Sequence, residues 1–193
     1  MLKETHLNFT TVGVYLKYED SLAFMIGPDQ NGTKLKVIRL GGHIEKGESI
    51  QDALERELME EACVTVDLKD VDYTFYKVKW HKKRIMYEKF DRFDLKPLIV
   101  VGNQHRATAL FIAETLKKPV PAMESHGIIF LNRDQVRSIC TKRITLADFI
   151  ASGGEVIFQK PLNHEMQITA GVHLKFIYEL ILMNHNIIND LFK

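Results

Sequence analysis

Cysteine is nearly absent. Cys63 and Cys140 are the only two in 193 residues, too few for a disulfide framework or a cysteine-rich zinc site. They read as reduced thiols and point to a cytoplasmic protein, since disulfides belong to oxidising compartments. Net charge is equally scarce. Lysine and arginine total 26 against 25 acidic residues, leaving +1, so no global field draws the chain to nucleic acid or an anionic membrane. No apolar run approaches the roughly 20 residues of a membrane span, and MLKETHLNFT lacks the apolar centre of a secretory signal. The eight histidines show no H-x-x-x-H spacing, and none is assigned to a metal. There is no internal repeat and no low-complexity segment. What is present, 46% hydrophobic and 26% charged residues, is the balance of an ordinary globular protein able to bury a sizeable core.

Alternation of apolar and other residues marks the first strands. LNFTTVGVYLK reads as a strand, Tyr18, Glu19 and Asp20 as a turn, and LAFMIG as the hairpin partner. PDQNGT is a loop by its turn-forming residues, and LKVIRL is a third strand leading into Gly41-Gly42. Downstream, residues 66–80 and 84–95 read as a long hairpin with a basic tip. Lys77, Lys79, His81, Lys82, Lys83 and Arg84 make that tip, either a solvated end or a phosphate-attracting rim. PLIVVGNQHRA reads as a short apolar run and a loop. TALFIAETL and GIIFL are strands, and Asn132 caps the helix RDQVRSIC with Val136 and Ile139 inward. In the last fifty residues a short helix, a glycine break and the strand EVIFQK precede what reads as one long helix over 164–192. Its apolar side covers the flank of the domain or makes a homodimer contact, and Gly171 weakens its continuity.

The stretch GGHIEKGESIQDALERELMEEACV departs from an ordinary surface helix. Ser49 and Asp52 have the spacing of a capping box. Ile50, Ala53 and Leu54 begin an apolar stripe that Glu57, Glu60 and Glu61 continue, so the face turns from apolar to acidic halfway along. Those three glutamates stand at i, i+3 and i+4 and share one side of the helix. Their mutual repulsion is uncompensated on a plain surface helix and is relieved by a hard cation. Magnesium takes carboxylate oxygens, and the Gly41-Gly42 turn lets backbone approach the ion where no Cβ intervenes. This chemistry suits cleavage of a pyrophosphate, which needs phosphate charge neutralised and a water aimed at phosphorus.

The spacing of Gly42, Glu48, Arg56-Glu57, Leu58, Glu60-Glu61 and Val64 resembles the box motif of the Nudix hydrolases, with Cys63 where that family has glycine. Six fixed matches arise by chance at roughly 10⁻⁸ to 10⁻⁷ per starting position. The resemblance implies an α/β Nudix fold, a mixed β-sheet sandwiched between helices, here with an extra C-terminal helical segment. It divides the chain into a Nudix domain over residues 1–140 and an extension over 141–193. It also implies Mg²⁺, with Mn²⁺ as an alternative ion, and a nucleoside diphosphate derivative as the substrate. By resemblance Glu57, Glu60, Glu61 and Arg56 are the catalytic group. The Gly41 carbonyl joins the three glutamates at the metal, and Arg56 holds glutamates of the box with Glu48 as its partner. Gly42 and Glu48 are structural, and Glu57 is either a metal ligand or the base that activates water.

Outside the box, Arg39 is a candidate for a substrate phosphate, and Glu124, preferred over Glu114, is a candidate further acid. Phe75, Tyr76 and Trp80 are either core or a surface for a base to stack on. Cys63 would need a left-handed backbone costing about 1 kcal/mol. That departure keeps open a nucleotide-binding module without turnover, and a third reading makes the acidic helix an interaction surface only.

Overall fold

The computed structural model describes residues 7–82, 86–88, 95–123 and 125–193. β1 (Phe9–Tyr18) and β2 (Ser21–Pro28) form an antiparallel hairpin. β2 then pairs with β3 (Leu35–Ile38), which leads to the glycine turn and α1 (Ile50–Ala62). β4 (Asp67–Lys69), β5 (Thr74–Lys77), β6 (Met86–Glu88), β7 (Ile99–Asn103) and β8 (Arg106–Glu114) follow. Next come β9 (Gly127–Leu131), α2 (Arg133–Thr141), α3 (Leu146–Ala151) and β10 (Glu155–Phe158). The chain closes with β11 (Ile168–Ala170), α4 (Val172–Leu182) and α5 (Ile187–Leu191).

Among the described residues these strands make one mixed sheet, ordered β10-β9-β2-β1-β8-β7-β5-β6, with β3 and β11 joined beyond β2 and β4 lying on β8. The pairs β1 with β8, β5 with β7 and β3 with β11 are parallel. Because side chains alternate across a strand, β1 serves two cores. Val12, Val14 and Leu16 meet Ala53, Leu54, Leu58 and Ala62 of α1 on one face. Tyr15 joins Phe24, Val136, Phe149, Phe176 and Ile177 on the other. Helices therefore cover both faces, as the α/β reading requires.

Several local expectations change. The apolar stripe of α1 continues through Leu58 and Ala62 to the end of the helix, so the acids border it rather than replace it. The expected long hairpin is divided: β4 leaves to pair with β8, and only β5 and β6 pair as a hairpin. Lys83, Arg84 and most of residues 84–95 lie outside the described residues. The loop expected in PLIVVGNQHRA is a tight hairpin between β7 and β8, with Gly102 at φ 137°. Its Cα passes where a Cβ would stand 2.2 Å from the Arg106 carbonyl oxygen.

The single C-terminal helix is also replaced, by β11, α4 and α5. Ile168 to Ala170 pair with Leu35 to Val37, and Gly171 turns the chain against the Val37 carbonyl, where a Cβ would lie at 2.4 Å. Asn184, at φ 49°, ends the second piece. Lys77 leaves the expected basic tip as well. It is 1% exposed and pairs with Glu179 of α4, because its place on β5 points under that helix. Phe75 and Tyr76 are core residues, Phe75 packing edge-on against Phe176 at 5.4 Å.

Replacing Phe176, which is wholly buried, with alanine is expected to cost about 3–5 kcal/mol. Urea unfolding followed by circular dichroism measures it. A loss below about 1 kcal/mol would contradict the packing of α4 into the shared core.

Candidate active site

The site is built where the chain leaving β3 returns to β1. Val12 N–H donates to the Gly42 carbonyl at 2.9 Å, and Val14 N–H to that of Leu40 at 3.0 Å. This pins the glycine turn along β1, and the contact leaves no room for side chains. A Cβ on Gly41, whose φ is 114°, would lie 2.4 Å from the Cα of Gly13. A Cβ on Gly42 would lie 2.3 Å from a carboxylate oxygen of Glu57. The space that glycine leaves at position 42 is the seat of that carboxylate.

Helix α1 starts with the reciprocal Ser49–Asp52 cap and aims its acids at this turn. Glu61 accepts from the Gly41 N–H at 2.7 Å. Burial pushes the Glu61 carboxyl up to about 7. The Gly41 hydrogen bond opposes that rise, while neighbouring Glu57 adds to it. Glu57 and Glu61, one helical turn apart, thus converge on Gly41-Gly42 from the same side. Glu60 turns outward, its side chain 42% exposed against 14% for Glu57.

Arg56 organises the outer edge. Its Nε and Nη2 donate to the two oxygens of Glu48 at 2.9 and 3.0 Å. Nη1 donates to Glu57 at 2.9 Å and Glu60 at 3.3 Å, and Nη2 also reaches the His43 carbonyl at 3.0 Å. The Arg56 fork and the Glu45 N–H hold the Glu48 carboxyl below the usual carboxylate range. A forked, charge-assisted contact of this kind fixes direction as well as distance.

The other end of α1 is tied down by residues that the sequence reading did not single out. Cys63 adopts the left-handed conformation of the glycine it replaces, at φ 52° and ψ 39°. Lys117 Nζ donates to its carbonyl at 2.9 Å, while Val120 N–H and Ala122 N–H donate to the carbonyls of Ala62 and Glu61. The last carbonyls of a helix need such partners, and the connection after β8 supplies them. Gly13 was also missed. It carried a signal, since glycine inside a strand marks close approach of another group.

Arg39 lies over Gly13 and is 7% exposed. Its Nη1 donates to the Gly41 carbonyl, and its Nε, enclosed, has no hydrogen-bond partner. Burial lowers its pKa, against the pull of Glu61 and Glu57. Beside it His173 of α4 is pushed down to about 3 by burial, with Arg39 and Lys36 adding to the effect, so the ring is neutral. Trp80 packs edge-on against that ring at 4.7 Å. Glu114 stands apart from this group, paired with Lys17 at 3.2 Å and Lys69 at 3.1 Å. Lys17 follows Val12 by five positions along β1, roughly 16 Å. Glu124 lies outside the described residues.

The donor chemistry fits a hard cation. Two carboxylates, Glu57 and Glu61, flank the Gly41-Gly42 peptide, and one of them sits in a cradle that a Cβ would fill. Among the described residues no group of three or more His, Cys, Asp or Glu side chains is placed to hold a metal ion. Magnesium does not require one, because it is commonly held by one or two carboxylates together with water and phosphate oxygens.

Comparison with known proteins bears on the family of the chain. The NUDIX domain family model matches residues 12–143. Solved structures similar to the chain include a NUDIX-family hydrolase from Clostridium perfringens, 19% identical, covering 70% of this chain and 88% of its own, with a TM-score of 0.49. The ORF135 protein of E. coli is 15% identical, covering 68% and 79%, with a TM-score of 0.42. The MutT protein of Methanosarcina mazei Go1 is 12% identical, covering 70% and 86%, with a TM-score of 0.41. No curated protein matches the chain. The family match makes this a pyrophosphohydrolase of the NUDIX class. The chain belongs to the NUDIX family.

Two outcomes follow from the geometry. Gly42→Ala displaces the Glu57 carboxylate and is expected to lower diphosphatase activity by roughly 10²-fold, the scale of an ångström-sized misplacement. Activity near wild type in a folded Gly42→Ala protein would contradict the cradle.

Glu61 titrates near 4.5 when unperturbed and near 7 in the fold, so the folded chain binds this proton more tightly. The associated stability is complete below about 4.5 and drains away as pH rises through about 7. In chelator, the melting temperature of wild type relative to Glu61→Gln is therefore expected to fall between pH 5 and 8. Parallel profiles would count against a buried, proton-holding Glu61.

Proposed function

We propose that the chain hydrolyses the phosphoanhydride of a nucleoside diphosphate linked to another moiety, with Mg²⁺ as the resident ion and Mn²⁺ as an alternative. The observation that carries this reading is the convergence of Glu57 and Glu61 on the Gly41-Gly42 turn. Glu57, Glu61 and the Gly41 carbonyl hold the ion, while Glu60, the third acid expected there, stays on Arg56 at the outer edge. When bound, the ion neutralises phosphate charge and polarises the bond that breaks.

The chain's own residues set the geometry. Arg56 orients Glu57 and Glu60 while anchored to Glu48, and Glu61 is kept in place by the Gly41 N–H. Gly42 supports Glu57 by leaving it space. The departure at Cys63 does not favour a binding module without turnover, because the helix end keeps the left-handed backbone that a glycine would supply. The free thiols of Cys63 and Cys140 support a reducing compartment, the cytoplasm. No helix among the described residues is long and apolar enough to cross a membrane.

Glu57→Gln and Glu61→Gln are each expected to lower activity by more than the 10–100-fold typical of outer metal partners. The assay is a panel of ADP-ribose, dinucleoside polyphosphates, nucleoside triphosphates and nucleotide sugars with Mg²⁺ or Mn²⁺, read by product mass. Undiminished cleavage by either variant would sink the assignment.

A further inference from the structure

Arg39 is a buried cation placed on the same turn as the proposed ion site. Its Nη1 donates to the Gly41 carbonyl, and Glu61 and Glu57 are the carboxylates that act on it. A guanidinium so placed brings a positive charge to the carbonyl beside which those acids converge. A purely structural arginine would ordinarily have its buried N–H groups satisfied, yet the enclosed Nε of Arg39 has no partner. The side chain is seated by shape instead, in the space that Gly13 leaves open, where a Cβ would come within 2.4 Å of Arg39 Cδ.

We infer that Arg39 and the divalent ion compete for the Gly41 carbonyl, and that ion binding turns the guanidinium toward the phosphates of the substrate. The inference rests on the metal-dependent reading above. A dication brought to the Gly41 carbonyl meets a guanidinium already donating to that oxygen, and the like charges repel. Turning Arg39 away relieves that repulsion and frees a planar fork matched to phosphate oxygens. Arg39 thereby couples ion loading to substrate binding: before loading it occupies the Gly41 carbonyl, and after loading it is a phosphate ligand.

Arg39→Met keeps most of the volume and removes the charge. Titration calorimetry with Mg²⁺ and with Mn²⁺, without substrate, is expected to show binding about tenfold tighter than wild type, the scale of removing one unit charge near a dication under water-like screening. The same variant is expected to raise KM for the diphosphate substrate. Unchanged or weaker ion binding by Arg39→Met overturns the inference and makes Arg39 a support of the turn alone.

A wild-type measurement keeps the test open should that variant fail to fold. The enclosed Arg39 Nε–H, assigned by its disappearance in Arg39→Lys, is expected to exchange with solvent faster by NMR once Mg²⁺ saturates the protein. Protection that does not change on saturation overturns the inference. Failure of the wild type to bind either ion overturns the metal-dependent reading as well. Binding by wild type without tightening in the variant overturns only the role of Arg39.

Discussion

Everything in the site depends on how closely two stretches of backbone approach. β1 at Gly13 and the turn at Gly41-Gly42 run side by side through Val12 N–H to Gly42 and Val14 N–H to Leu40. At that separation a side chain on any of the three glycines meets backbone or a charged group within about 2.5 Å. The volume that they leave is filled from two directions. Arg39 enters over Gly13, and the Glu57 carboxylate enters over Gly42. Opposite charges are thereby brought to the same turn, one from the end of β3 and one from α1. Glycine's conformational freedom matters at Gly41, which alone of the three has positive φ; at Gly13 and Gly42 the missing Cβ is what counts.

Charge then sets the character of α1. A helix carrying Glu57, Glu60 and Glu61 along one border is self-repelling, and the fold offsets this unevenly. Arg56 takes the outer edge, forked on Glu48 and touching Glu57 and Glu60. Glu61 is left on the inner edge, desolvated, with a backbone N–H and the field of Arg39. The asymmetry separates an exposed, structurally paired acid, Glu60, from two enclosed acids that share the turn. Enclosure raises the free energy of the Glu61 anion, which is the condition under which a bound cation stabilises most.

The last fifty residues are part of the same physical unit. The family match ends at residue 143, yet β10 pairs with β9 and β11 pairs in parallel with β3. Leu174, Phe176, Ile177 and Leu180 share a buried cluster with Tyr15 and Phe24 of the first hairpin. Tyr15 also donates to the His173 carbonyl at 3.2 Å. Because β3 leads directly into the glycine turn, the segment that flanks β3 also supports the strand delivering that turn. Lys77, buried and paired with Glu179, adds a charged contact between β5 and α4. Desolvating the buried Lys77 ammonium offsets part of its attraction to Glu179, which stays partly exposed.

The sequence by itself determined what depends on short-range spacing. Periodicity of 3.6 places Glu57, Glu60 and Glu61 on one side of a helix, and Ser49 with Asp52 starts that helix. Alternation in Val12, Val14 and Leu16 makes a strand with a buried face. Only the tertiary structure decided what depends on residues distant along the chain. Gly171 reads as a weak point in a helix until the Val37 carbonyl, far away in sequence, stands where its Cβ would be. Lys77 reads as part of an exposed basic run until α4 lies over it. Arg39 reads as a candidate phosphate contact beside glycines until Gly13 and Gly41 enclose it. In each case the deciding atoms are backbone or charge from another element. Local pattern carries burial and periodicity, but it carries no record of which distant group will occupy the other side.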